Sequence, residues 1–330
     1  MRLPLIALVA GLSALALPAQ AQECAPLTRA FSLDMTPVGG GFAVPIDVNG
    51  TSKQFLVSIG SWASALTRDT ATEQKLSVRQ AGNVYLQNGT RQNLGVVWAD
   101  LTVGPMKAPQ HEMFVIERSG QIDGVLAADL MQNYDIELDF AGRKLNYFLT
   151  DHCPGRVVYW PSAGFTTVEF RGFDNNAVHP MAIPVTIDGK QVIAEIESAG
   201  TDSVMDWDTA RSLFGLTPDS PGAVPLGSLD TNPDHRMFGW TFKELKIGGL
   251  TITNHRVRVV PGLWGRKDAD TLRLDSRVRR YTDEWQPTLR ISMDVLRRLH
   301  LYIASKERKI YITPASTPAP AAGRGAAQAN

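Results

Sequence analysis

Apolar and polar residues alternate along much of this chain. Val44-Pro-Ile-Asp-Val48 and Ile183-Pro-Val-Thr-Ile187 have the period of two expected of half-buried β-strands. Asn49-Gly50 and Asp188-Gly189 follow these runs, and both pairs tolerate the positive φ of a tight hairpin. Asn88-Gly89 should tip a further hairpin between Val84-Tyr-Leu86 and Val96-Val-Trp98. Helical spacing is sparse. It predicts one short helix from Asp69 to Leu76, with a counterpart from Asp208, and another over Asp129–Tyr134, with a counterpart over Asp294–His300. The chain therefore reads as mainly β. The segment from Thr313 is rich in Pro, Ala and Gly, and residues 314–330 read as a disordered tail.

The pattern occurs twice. Ala43–Gly50 aligns with Ala182–Gly189, and over residues 42–71 a constant offset of 139 gives seven identities, where chance gives about two. Leu101-Thr-Val-Gly104 and His111 match Leu245-Lys-Ile-Gly248 and His255 at offset 144. Asp129–Ile136 and Arg143-Lys-Leu145 match Asp294–Leu301 and Arg308-Lys-Ile310 at offset 165. Shared order and spacing predict two copies of a closed β unit, over 22–150 and 181–313, joined by a linker at 151–180. The second copy carries about 21 extra residues, within 262–287. This insertion mixes six cations with five acids and holds Trp264, Tyr281 and Trp285, so it reads as a solvated segment or a docking surface.

Composition narrows the setting. The 330 residues carry 33 basic and 33 acidic side chains, which gives no electrostatic footprint for nucleic acid. Residues 1–21 place one Arg before an apolar run and end in Ala19-Gln-Ala21, the pattern of a secretory signal cleaved before Gln22. That run is too short to span a bilayer, and no later stretch is long enough, so the mature chain is expected to have no membrane span. A periplasmic or secreted protein with two cysteines has the number needed for one bridge, and Cys24–Cys153 is the expected pair. No metal, nucleotide or hydrolase motif occurs after the signal, so no cofactor and no metal are expected. His111 and His255, equivalent by repeat, are expected to share a structural role.

Three pieces of each copy, in fixed order, resemble a known family. The first runs from Val44-Pro-Ile-Asp-Val-Asn-Gly50 through Phe55-Leu-Val57 to Ser58-Ile-Gly-Ser-Trp-Ala-Ser64. The second is Ile122-Asp-Gly-Val-Leu-Ala-Ala-Asp-Leu130, and the third pairs Tyr134-Asp-Ile-Glu-Leu-Asp139 with Arg143-Lys-Leu145. Each copy is similar to one lobe of a retropepsin-like aspartic protease, and the pair resembles the bilobal, pepsin-like arrangement. The resemblance implies two β-barrel lobes and a cleft between them. It also implies two Asp-Thr-Gly loops whose carboxyls share one proton and activate a water. Cleft contacts would then come from Gly60, Ser61, Trp62, Ser198, Gly200 and Thr201, with Tyr85, Asn88 and Gly89 on a flap hairpin.

The sequence departs from the family at the catalytic positions. The first Asp position holds Ser58, whose hydroxyl cannot serve as an acid of pKa near 4. Without a gap, the second Asp position holds Glu197 and the Gly position Ala199. Sliding by one residue keeps Gly200 in register but puts Ser198 at the Asp position. Under either register no Asp–Asp pair exists. The expectation is an exported, non-catalytic homologue that binds an extended peptide or a protein partner in the cleft. The alternatives are an endopeptidase with an atypical dyad using Glu197, and a structural β scaffold. The nearby acids Asp47, Asp69, Glu195 and Asp202 are expected to be solvated or capping groups.

Overall fold

A computed structural model describes residues 24–85, 91–117, 120–172, 181–228, 236–262 and 286–315. The predicted signal at 1–21, the hairpin tip with Asn88 and Gly89, nearly all of the 262–287 insertion and nearly all of the tail lie outside the described residues.

The alternating runs form strands, and each half closes on itself. In the N-terminal lobe, strand Gly41–Val48 pairs with Thr51–Val57, and the ring continues through Gly124–Leu126, Ala65–Thr67, Met106–Ile116 and Arg91–Val103. Arg91–Val103 returns to the first strand at Asp47↔Thr102 and Val48↔Leu101, which completes a six-stranded barrel. The C-terminal lobe repeats this order with Ala182–Ile187, Lys190–Ile196, Leu289–Ile291, Val204–Asp206, Leu250–Val260 and Arg236–Ile247. Its ring closes at Thr186↔Lys246 and Ile187↔Leu245. The hairpin turns form as read: Asn49 and Gly50 have φ of 50° and 82°, and Asp188 and Gly189 have 43° and 77°. Val44, Ile46 and Val48 point into the first core, and Ile183, Val185 and Ile187 into the second.

A third sheet joins the halves. Its order is Arg29–Asp34, Lys144–Phe148, Asp135–Asp139, Leu299–Ala304, Lys309–Pro314 and Thr166–Glu169. The two halves meet where Asp135–Asp139 pairs with Leu299–Ala304, from Ile136↔Ile303 to Asp139↔His300. The predicted 151–180 linker is thus not all connection, since Thr166–Glu169 supplies an edge strand.

Apart from the one that starts at Trp207, the helices are shorter than predicted. The first of each half spans Arg68–Glu73, capped by the Thr67 side chain, and Trp207–Phe214, capped by Asp206 and ended by Gly215 in the left-handed region. The second is a single turn in each half, Ala128–Leu130 and Met293–Leu296. Leu299 and His300, expected at the end of a helix, lie in a strand whose six residues are all buried. Pairing on both edges outweighs weak local helical spacing there.

The joining sheet buries charge. Glu137 accepts from Asn146 Nδ2 and Tyr159 OH, each at 2.7 Å, and meets His300 Nε2 at 2.7 Å. Trp160 stacks on His300 with centroids 3.9 Å apart and donates to Thr313 Oγ1 at 3.0 Å. Asp135 meets His152 Nε2 at 2.5 Å and accepts from Ser305 N at 2.8 Å. Burial lifts the Asp135 carboxyl above its ordinary range, against these bonds. Burial alone would lower His152, but its bonds to Asp135 and the Cys153 carbonyl raise it on balance. Every partner is needed, because an unpaired charge at this depth costs several kcal/mol.

The predicted bridge forms. Cys24 and Cys153 are disulfide-bonded across 129 residues of sequence, with Cα atoms 4.8 Å apart. It anchors the segment that carries His152 onto the joining sheet. Replacing both cysteines by Ser should lower the unfolding free energy by about 5 kcal/mol in the chain-entropy account. Equilibrium denaturation of the oxidised protein and the double variant measures this, and a difference below about 1 kcal/mol would refute the tether.

Candidate functional site

Two loops leave equivalent strands and meet at the junction of the lobes. Thr51–Val57 runs into the loop 58–64, and Lys190–Ile196 into the loop 197–203. Both loops hang from the same backbone bond, since Ser58 N donates to Leu126 O and Glu197 N to Ile291 O, each at 2.9 Å. One carboxylate braces the far end of each. Asp129 accepts from Ser64 N at 2.9 Å and Ser64 Oγ at 2.7 Å, and Asp294 accepts from Ser203 N at 2.8 Å and Ser203 Oγ at 2.7 Å. Ser64 Oγ in turn accepts from Ala127 N, and Ser203 Oγ from Ser292 N. His111 Nε2 lies 3.0 Å from Asp129, and His255 Nε2 lies 3.6 Å from Asp294. The two histidines therefore stand in matching places beside these carboxylates.

The loop tips bring Ser58 to Glu197. Ser58 Oγ lies 2.8 Å and 3.0 Å from the two Glu197 oxygens, across 139 residues, and is fully buried. Ala199 N donates to Glu197 Oε1 at 2.7 Å, and Ser61 Oγ lies 2.7 Å from Ser58 Oγ. Ser58 has one hydrogen, so with that hydrogen on the carboxylate it can only accept from Ser61. The register without a gap is the one adopted. Ser198 sits at the family's Thr position, donates to Val57 O at 2.7 Å and accepts from Ile59 N at 3.1 Å across the lobes. Ile59, its counterpart, is apolar and buried, so the cross-lobe brace comes from one side.

Close approach explains Gly60. A Cβ there would lie 2.7 Å from Ile196 O, 2.9 Å from Glu197 Oε2 and 3.2 Å from Glu195 Oε1. A Cβ on Gly200 would lie 2.8 Å from Ser292 Oγ, and the Thr201 methyl packs over Gly40. Trp62 is 42% exposed and stands edge-on to Phe114, with centroids 5.1 Å apart. Tyr85 ends Arg79–Tyr85, the strand that pairs with Arg91–Val103 across the expected flap hairpin. Asn88 and Gly89 fall outside the described residues.

Glu195 was the acid the sequence misplaced. It is not solvated but buried in strand Lys190–Ile196, and its Oε2 accepts from Arg290 Nε at 2.8 Å. Burial pushes its carboxyl up to about 7; the neighbouring Glu197 charge adds to the rise and Arg290 opposes it. A carboxylate within the apolar run Val192-Ile-Ala-Glu-Ile196, two residues before Glu197, was the available signal. Asp202 is exposed and faces Arg258 Nη1 at 3.5 Å.

Chemically, the junction holds a carboxylate bonded to a hydroxyl where the family places two carboxylates. A shared-proton pair needs both partners to ionise in the acid range, and Ser58 does not. Among the described residues no cluster of His, Cys, Asp and Glu is arranged to hold a metal. No helix among them is long and apolar enough to cross a membrane.

Comparison with known proteins bears on the fold. Residues 44–130 match the family model described as aspartyl protease. The aspartic proteinase from Irpex lacteus has a similar structure, with a TM-score of 0.51 and 14% identity over 88% of this chain and 98% of that one. No curated protein matches the chain. The mainly β, two-lobed architecture is the aspartic proteinase fold, as the motifs implied.

Glu195 makes stability depend on pH in a defined direction. Its folded value of about 7 lies above the ordinary 4.5, so its contribution is full below about 4.5 and is lost as pH rises through 7. Glu195→Gln should flatten the fall in melting temperature over that window. Parallel curves for wild type and variant would show that Glu195 is not held protonated.

Proposed function

We propose that this protein is an exported, non-catalytic relative of the aspartic proteases that binds an extended peptide segment in its inter-lobe cleft. The observation carrying this reading is the Ser58–Glu197 contact at 2.8 Å. It keeps the loop architecture of the family while removing one of the two ionisable groups that the reaction needs. The hairpin Arg79–Tyr85/Arg91–Val103 supports a cleft that offers backbone pairing to an extended chain. The signal-like residues 1–21 and the Cys24–Cys153 bridge support export to a periplasmic or extracellular setting. The division into lobes at 22–150 and 181–313 around the 151–180 segment belongs to the same reading.

A second reading rests on Glu195. Its Oε1 and Glu197 Oε2 both approach Gly60, so the C-terminal lobe brings two carboxyls to the junction by itself. An endopeptidase with this atypical pair would cleave at acid pH and lose activity in both Glu195→Gln and Glu197→Gln.

Incubating the mature protein with a denatured protein near pH 4, about the carboxyl range, separates the two. The expected result is no cleavage, together with binding of extended peptides by calorimetry. Ser58→Asp combined with Glu197→Asp should then create detectable acid proteolysis, because restoring a coupled pair recovers several powers of ten in rate. Wild-type cleavage that a statine-type inhibitor blocks would overturn the non-catalytic reading.

A further inference from the structure

The two lobes differ at one matching place beside their loops. In the N-terminal lobe a concavity of about 340 Å³ opens next to the loop 58–64. Trp62, Phe114, Pro109, His111, Asp129 and the exposed Glu112 line it. Strand pairing fixes the equivalent positions in the other lobe: Ala65 pairs with Phe114, and Val204 with Arg258, in the same parallel register. Phe114 thus corresponds to Arg258, Glu112 to Arg256, Trp62 to Thr201 and Ala63 to Asp202.

The base of the site is a requirement of the fold, because Ser, Asp and His recur in both lobes. The walls are not. In the C-terminal lobe Arg258 points its guanidinium at Asp202, 3.5 Å away, and Arg256 lies against Gly239. That lobe carries two cations of its own chain at these positions. The N-terminal lobe replaces both arginines, one by an aromatic ring and one by a carboxylate. Glu112 is exposed and has no ion pair among the described residues, and Trp62 is 42% exposed. Asp129 is occupied by Ser64, Leu130 and His111, which leaves Glu112 as the carboxylate available to a ligand.

We infer that the Trp62–Phe114–Glu112 pocket binds the guanidinium side chain of an arginine in the peptide held by the adjacent cleft. An aromatic face with a carboxylate at its edge suits a planar cation, which stacks on the ring while its N–H groups reach the acid. Trp62 follows Ser61, whose hydroxyl contacts Ser58, which sets the pocket beside the junction of the two loops. This inference rests on the cleft-binding reading and adds a side-chain preference to it.

The experiment compares one extended peptide containing a single arginine with the same peptide containing citrulline, its uncharged isostere, by calorimetry on the mature protein. The arginine form should bind about tenfold tighter, the scale of a partly desolvated cation–π contact with a charged partner. Glu112→Gln should remove most of that preference while leaving the citrulline peptide unchanged, and Trp62→Ala, which also touches the cleft, should weaken the arginine peptide more than the citrulline one. Glu112→Arg should abolish it, by placing a guanidinium in the pocket as the other lobe does. The single-residue probe N-acetylarginine methylamide should shift the indole N–H resonance that Trp62→Phe deletes. Equal binding of both peptides would overturn the inference and leave the cleft reading standing. A Trp62 shift with the single-residue probe, without binding of either peptide, would uphold the pocket and remove the cleft reading. Melting temperatures within a few degrees of wild type qualify each variant as folded.

Discussion

Two carboxylates, Asp129 and Asp294, carry the organisation of this molecule. Each accepts an N–H and an O–H from a serine at the end of a long loop, and each meets a histidine from the neighbouring strand. A loop of seven residues at the surface of a barrel has few backbone partners of its own. Charge-assisted bonds at its far end fix its path and therefore the position of its tip. Because the same brace acts in both lobes, Ser58 and Glu197 arrive at one point from segments 139 residues apart in the sequence. The carboxylates that matter most for shape are not those at the tips.

What happens at the tips is a separate matter. One side keeps a carboxylate, and the other offers a hydroxyl that satisfies it. The Ser198 bonds to Val57 O and Ile59 N hold the lobes in register, although the apolar Ile59 side chain makes no reciprocal bond. Shape and chemistry have come apart here: loops, glycine and cross-lobe contact persist where the proton-sharing pair does not. The fold does not assign a function by itself; the side chains at the junction have to be read separately.

Much of this was legible beforehand, for identifiable reasons. Alternation marked the strands because one face of each is buried, and Asn-Gly and Asp-Gly marked turns because few other pairs accept positive φ at both positions. The offset of 139 that relates the repeats is also the separation of Ser58 and Glu197, although the sequence left Glu197 and Ser198 as alternatives for the second position. The remainder depended on partners that a linear reading does not reveal. Glu195 looked like a surface acid because its cation, Arg290, lies 95 residues away. Asp135 and Glu137 alternate with apolar residues in the sequence, yet both are buried and bonded to His152 and His300. The helix expected through His300 failed for a related reason, since a strand sandwiched between two others takes its conformation from its neighbours.

The joining sheet also constrains how the chain is made. Strand Asp135–Asp139 lies between Lys144–Phe148 and Leu299–Ala304. As the polypeptide leaves the ribosome, the first barrel has all its strands long before residue 299 is synthesised. Until then the far edge of Asp135–Asp139, with Glu137 among its residues, has no native neighbour and presents open backbone groups to other chains. Assembly thus ends with its longest-range contact, which places the interval of greatest aggregation risk between completion of the first lobe and arrival of the last two strands.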